Sequence, residues 1–144
     1  MRIIKFRGKD ILTGVWYFGS LFDDGGEEYI LPPNISAAET YSAWQVDPNT
    51  IGQFAGVVDK NGKEIYEGDI VECVSWNEFF NNPETGDVME PFRRKMYVDF
   101  RNGGFKMIEK LPKPLKDNEW DIIYNGDIKV IGNIYDNPEL VSSN

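Results

Sequence analysis

The stretch Asp59–Lys60–Asn61–Gly62–Lys63–Glu64–Ile65–Tyr66–Glu67–Gly68–Asp69–Ile70–Val71–Glu72–Cys73–Val74–Ser75–Trp76 decides the fold. Asn61–Gly62 is a two-residue hairpin signal, since both residue types tolerate the positive φ that a twisted hairpin turn needs. Glu67–Gly68–Asp69 reads as a tight turn into a strand, with Asp69 able to bond nearby backbone N–H groups. The strand that follows alternates, with Ile70, Glu72 and Val74 on one face and Val71, Cys73 and Ser75 on the other.

Working outward, the same pattern of short ribbons and turns repeats. Arg2–Phe6 is a weakly alternating strand, Asp10–Gly14 a turn, and Val15–Phe18 with Ser20–Phe22 a second strand interrupted at Gly19. Asp23–Asp24–Gly25–Gly26 folds the chain back into Glu28–Leu31, and Pro32–Pro33 stops that strand because neither residue donates to a ladder. Residues 34–43 read as a loop and Trp44–Gln45–Val46 as a brief strand. Asp47–Pro48 starts a single helical turn, with Pro at the first helical position. Downstream, residues 77–92 form a long excursion. Lys95–Phe100 alternates cleanly, Asn102–Gly103–Gly104 turns it into Phe105–Ile108, and Leu111–Pro112–Lys113–Pro114–Leu115 is a stiff spacer. Trp120–Tyr124 is a short strand, Asn125–Gly126 a turn, and Ile128–Tyr135 a final strand with a bulge at Gly132. No window holds an apolar 3.6 period, so the fold class is mainly β, with at most short helical turns.

The 144 residues include 15 basic and 24 acidic side chains, a formal charge of −9, with no His and one Cys. Without His, nucleophile–His machinery, Cys/His zinc sites and His-ligated haem are excluded. Cys73 has Glu72 as neighbour, the wrong sign for an activated thiolate, and reads as a half-buried strand residue. One Cys makes no intrachain disulfide, which suits a reducing compartment. Met1–Phe6 is too short and too charged for a signal peptide, and no apolar run approaches a membrane span. The expected location is the cytoplasm.

Three stretches resemble the YopX family of small bacteriophage and prophage proteins. They are Ile4–Asp10 with Thr13–Trp16 and Gly19, then Val46–Gly56 running on through Asp59–Val71, then Val130–Leu140. The resemblance implies a mainly β, SH3-like barrel with an N-terminal antiparallel β extension, encoded by a phage or prophage in a bacterial host. It implies no catalytic, cofactor or metal residue, because the family has no assigned biochemical role. On this reading residues 1–56 are the extension packing on the barrel and residues 57–144 are the barrel with its insertion loop 77–92. The alternative is one integrated domain, 1–144.

Charge is unevenly spread. From Arg93 to Lys116 eight basic residues face only Asp99 and Glu109, a net of +6, which leaves −15 for the rest. Arg93, Arg94, Lys95, Arg101 and Lys106 interleave with Tyr97, Phe100 and Phe105, a composition suited to single-stranded nucleic acid. The net charge opposes that partner at long range, and aromatics filling a barrel with Arg and Lys stems around its rim explain the pattern equally. Asp121 with Asp127–Ile128–Lys129 has the order of a metal-dependent nuclease, but three residues among so many charges match by chance. Glu64, Glu67, Asp69 and Glu72 are crowded, yet lack the spacing of a calcium loop. Trp16, Trp44, Trp76 and Trp120 exceed what a small barrel interior holds, so some belong at a junction or an interface.

The expected protein is therefore a non-enzymatic accessory protein. It uses no cofactor or metal, binds an unknown phage or host protein, and associates with itself as a homo-oligomer. Its partner-surface candidates are Trp16, Trp44, Trp76, Trp120, Arg93, Arg94, Lys95, Arg101 and Lys106. A nucleic-acid-binding or nucleic-acid-processing role, and an acidic DNA mimic that inhibits a host protein, are the alternatives.

Overall fold

The computed structural model describes residues 2–33, 43–75, 84, 92–122 and 127–142. Among them are eleven strands: β1 (Phe6–Lys9), β2 (Trp16–Asp24), β3 (Glu27–Leu31), β4 (Trp44–Gln45), β5 (Gly52–Val58), β6 (Glu64–Tyr66), β7 (Asp69–Ser75), β8 (Phe92–Arg101), β9 (Gly104–Glu109), β10 (Asn118–Asp121) and β11 (Ile128–Asn133). Among the described residues, helical structure is confined to two 3₁₀ turns, Pro48–Thr50 and Pro138–Leu140. The fold is mainly β, and no described helix is long and apolar enough to cross a membrane.

The strands form two antiparallel sheets. One has the order β4-β3-β2-β1-β5-β6 and the other β10-β9-β8-β7-β11. No ladder among the described residues closes either sheet into a barrel, so β10 and β11 are edges. Residue 57, where the barrel is expected to begin, lies inside β5, a strand of the first sheet.

Local chemistry explains most of the connections. Across the β2–β3 hairpin Asp24 pairs with Glu27, leaving Gly25 and Gly26 with φ of 64° and 92° as the two-residue turn. Positive φ at both positions matches strand twist, and glycine takes it without a Cβ clash. The second strand is continuous through Gly19 rather than interrupted there. A Cβ at Gly19 would come within 2.0 Å of the Leu31 carbonyl oxygen, so this glycine permits close approach of two backbones. The first strand starts at Phe6, later than the Ile-rich run predicts; Ile3 and Ile4 are exposed. Asp47 caps its 3₁₀ turn by accepting from Asn49 N–H at 3.0 Å, with Pro48 opening the turn.

The hairpin at Asn61–Gly62 differs from expectation. Val58 pairs with Glu64, so the connection has five residues, not two. Its organiser is Asp59, buried, whose carboxylate accepts from Asn61 N–H at 2.8 Å, Lys63 N–H at 2.9 Å and Val130 N–H at 3.0 Å. The last bond ties the loop to β11. Burial opposes ionisation of Asp59, but these donors outweigh it and hold the carboxyl below its ordinary range. In β11, the pairing shifts between Val130 and Gly132, so the bulge absorbs Ile131.

The main core lies on one face of the five-stranded sheet. Val71, Cys73, Met96, Val98, Met107, Ile128 and Val130 pack with Ile65 of β6, flanked by Ala55, Val57 and Ile122. Alternation puts these side chains on a common face, and each buried aliphatic contributes about 1.5–3 kcal/mol. Cys73 is a buried free thiol.

Candidate functional site: the junction of the two sheets

Arg7 stands in the centre of the first sheet, only 6 % exposed. Its Nη1 donates to Asp69 Oδ1 at 2.7 Å and its Nη2 to the Glu67 carbonyl at 3.2 Å. Asp69, 2 % exposed, also accepts from Tyr66 N–H at 2.8 Å through its other oxygen. The predicted turn at Glu67–Gly68–Asp69 is therefore present, but the Asp69 side chain divides its two oxygens between turn and arginine. Burial lifts the Asp69 carboxyl above its ordinary range, against the pull of Arg7 and the Tyr66 N–H. Opening such a pair by removing one partner costs about 3–5 kcal/mol, because a lone charge stays behind in low dielectric.

Aromatic rings enclose the guanidinium. Arg7 lies 4.8 Å from the Trp16 ring centroid and 5.2 Å from that of Tyr66. Tyr66 meets Phe18 edge-on at 5.4 Å and Phe54 at 5.6 Å, and Trp16 meets Tyr135 at 5.7 Å. Tyr135 and Asp136 belong to the segment after β11. Asp136 accepts from Lys9 Nζ at 2.6 Å, Trp16 Nε1 at 2.8 Å and Asn133 Nδ2 at 3.0 Å, bonds that depress its pKa to about 2. Backbone bonds join the same place, from Gly68 N–H to the Val98 carbonyl and from Ile134 N–H to the Gly68 carbonyl, both 2.8 Å.

Beside this cluster opens a cavity of about 330 Å³, with Arg7, Trp16, Phe18, Lys63, Glu64, Tyr66, Asp69, Gly132 and Asn133 around it. Glu64 is held by Lys5 in an ion pair. Two buried polar atoms here lack a partner, Arg7 Nε and the Tyr66 hydroxyl. A buried group left unsatisfied costs about 1–3 kcal/mol. Burial and the nearby Glu64 charge push the Tyr66 phenol up to about 12, so it keeps its proton.

The partner-surface candidates are scattered over this framework. Trp16 is at the junction, Trp44 stacks flat on Tyr17 at 4.1 Å, and Trp120 sits on the β10 edge under Arg94, 5.4 Å from the guanidinium carbon. Trp76 lies outside the described residues, as does most of the 77–92 loop. Four of the five basic candidates meet carboxylates of their own sheet. Arg93 pairs with Glu72 at 3.0 Å, Arg94 with Glu109 at 2.9 Å, Arg101 with Asp99 at 2.8 Å and Lys106 with Asp121. Arg101 donates as well to the Tyr97 hydroxyl at 2.9 Å, and Lys95 is exposed. Asp121 is on β10 and Lys129 on β11, opposite edges of the sheet, so the nuclease-like order does not assemble along a ladder. The crowded carboxylates Glu64, Asp69 and Glu72 are each taken by a different cation.

All three stretches that carry the family resemblance meet at this junction: Arg7, Lys9 and Trp16 from the first, Tyr66 to Asp69 from the second, Asn133 to Asp136 from the third. A family model described as YopX protein matches residues 5–142. The chain belongs to the YopX family. No curated protein matches it. Among solved structures it is similar to protein EF1440 from Enterococcus faecalis, with 22 % identity, a TM-score of 0.51, and coverage of 99 % of this chain and 100 % of that one. That likeness is one of fold. What sequence reasoning missed was Arg7, which stands in a short strand with no local motif around it. The one signal was a cation in a strand flanked by Phe6 and Gly8, where a buried charge requires a partner.

Proposed function

We propose that this YopX-family protein is a non-enzymatic phage or prophage accessory protein that works by macromolecular contact in the bacterial cytoplasm, self-association included. The observation that supports this reading is where apolar surface remains uncovered. Of the twelve large hydrophobics exposed among the described residues, eight lie between Ile3 and Phe22: Ile3, Ile4, Ile11, Leu12, Val15, Phe18, Leu21 and Phe22. Leu12 is 92 % exposed at the tip of the β1–β2 turn. That turn is fixed by Asp10, whose carboxylate accepts from Leu12 N–H at 2.8 Å and Thr13 N–H at 3.0 Å. A rigid turn that presents leucine to water is better suited to contact than to solubility.

The chemistry of the chain supports the non-enzymatic reading. There is no His, and the most buried carboxylates serve Arg7 and backbone N–H groups. Four of the five basic candidates are already paired with carboxylates, which reduces what they offer a polyanion. Light scattering after size exclusion at several concentrations tests self-association. The wild type is expected to gain mass with concentration, and Ile11→Asp/Leu12→Asp to shift it toward monomer. A strictly monomeric wild type removes self-association. Retention on heparin that is lost in Arg93→Glu/Lys95→Glu would favour the nucleic-acid role instead.

A further inference from the structure

We propose that Asn102, at the tip of the β8–β9 hairpin, is a site of spontaneous deamidation, and that the fold shields Asn61, which stands in the same Asn–Gly sequence, from the same reaction. In an Asn–Gly step the glycine backbone nitrogen gives its proton to solvent and attacks the Asn Cγ. The new N–Cγ bond closes a five-membered succinimide. The Cγ–Nδ2 bond breaks, and Nδ2 leaves as ammonia after taking a proton from water. Water then opens the ring at either carbonyl, leaving aspartate or isoaspartate. Glycine in the second position adds no Cβ to obstruct the attack. The sequence treats the two sites alike, Lys60–Asn61–Gly62–Lys63 and Arg101–Asn102–Gly103–Gly104.

The structure separates them by what holds the nucleophile. Gly62 N–H donates to the Asp59 carbonyl at 3.0 Å, and the Asn61 and Lys63 N–H groups on either side donate to the Asp59 carboxylate. That carboxylate is buried and also accepts from Val130 N–H, so turning the Gly62 amide toward the Asn61 side chain breaks a loop anchored in β11. Around Asn102 no such anchor exists. Arg101 pairs with Gly104, which leaves Asn102 and Gly103 as an exposed two-residue loop beyond the ladder. Among the described residues no acceptor takes the Gly103 N–H. The Asn102 side chain donates from Nδ2 to Glu119 Oε1 at 3.5 Å, the outer limit of a hydrogen bond, which leaves the amide free to rotate. A hairpin tip held in this way opens locally at little cost, as ring closure requires. The product places a new carboxylate beside Glu119, and the isoaspartyl form lengthens the main chain of the loop by one carbon, so the end of the β8–β9 ladder loosens. The inference does not depend on self-association.

The test is peptide mapping by mass spectrometry after ageing the full chain in mildly alkaline heavy-oxygen water, where each conversion incorporates a labelled oxygen and changes made during digestion are discounted. Native protein is compared with protein aged in guanidinium chloride, where both loops are lost. In the native protein Asn102 is expected to convert at least about fivefold faster than Asn61, and in denaturant the preference is expected to disappear. Asn125–Gly126 lies outside the described residues and is followed through its own peptide. A smaller native preference, or no native conversion at Asn102, overturns the proposal. A preference that persists undiminished in guanidinium chloride overturns it too, because neighbouring residues rather than the fold then set the rates.

Discussion

Arg7 of the six-stranded sheet reaches Asp69 across 62 residues of sequence, and Lys9 reaches Asp136 across 127. In the five-stranded sheet, Arg93, Arg94 and Lys106 meet carboxylates 21, 15 and 15 residues away, all on neighbouring strands, and Arg101 meets one 2 residues away. The two regions use the same residue types for different ends. The first set fastens parts of the fold that are far apart in sequence, Arg7–Asp69 in the interior and Lys9–Asp136 at its margin. The second neutralises a sheet surface where water already screens the charges. Burial separates the extremes, Arg93 with a side chain 66 % exposed and Arg7 with one only 7 % exposed, while Lys9 and Arg94, at 31 % and 32 %, stand level.

This difference ranks the expected effects of substitution. The largest belongs to Arg7→Ala, which strands the Asp69 carboxylate in the interior and should cost about 3–5 kcal/mol in urea unfolding. A loss below about 1 kcal/mol would place Arg7 among the surface charges. Gly19→Ala comes next, because the new methyl meets the Leu31 carbonyl and must push β2 from β3; about 2–3 kcal/mol is expected from the same measurement.

Acid titration sharpens the comparison further. The folded pKa of Asp136, about 2, lies below the ordinary value of 3.8, so the unfolded chain binds more protons between them. Stability from this group is present above about pH 4 and is lost as pH falls toward 2. Asp59, also depressed, acts in the same direction. A plot of Tm against pH should fall on the acid side, and Asp136→Asn should flatten part of that limb. An unchanged limb would show that the tie from β1 and β2 to the segment after β11 adds nothing to stability.

Tyr66→Phe should leave stability equal or up to about 1 kcal/mol higher, because it removes an unpartnered buried hydroxyl. A loss of 2 kcal/mol or more would mean that the hydroxyl is already satisfied. The smallest effect is expected for Arg93→Ala, within about 0.5 kcal/mol of wild type, since Arg93 itself reaches out into solvent.

Legibility in the sequence follows the same division. The Gly25–Gly26 hairpin, the Asp47–Pro48 turn, the alternation of β7 and β8 and the bulge near Gly132 were readable because each is fixed by residues close in sequence. The Asn61–Gly62 turn was misread in length because its geometry is set by Asp59, whose third bond goes to Val130, 71 residues away. Gly19 looked like a break because its reason, the Leu31 carbonyl, lies on the paired strand. Trp16 lies beside Arg7 at the junction of the two sheets, but the sequence says only that some of four tryptophans belong at a junction or an interface and does not single this one out. Arg7, in contrast, announces itself only through a partner that the fold brings to it, and the cavity beside it comes from three separated segments that no local pattern connects.

A double-mutant cycle on Arg7 and Asp69 tests most directly whether the junction is held by this long-range pair. Arg7→Met, Asp69→Leu and the double variant would be compared with wild type by urea unfolding. Strong coupling is expected, with the double variant less destabilised than the sum of the singles by about 2 kcal/mol or more. Additive losses within about 0.5 kcal/mol would contradict it, leaving apolar packing and the other bonds across the junction, those of Asp136, Gly68 and Asp59, to join the two sheets.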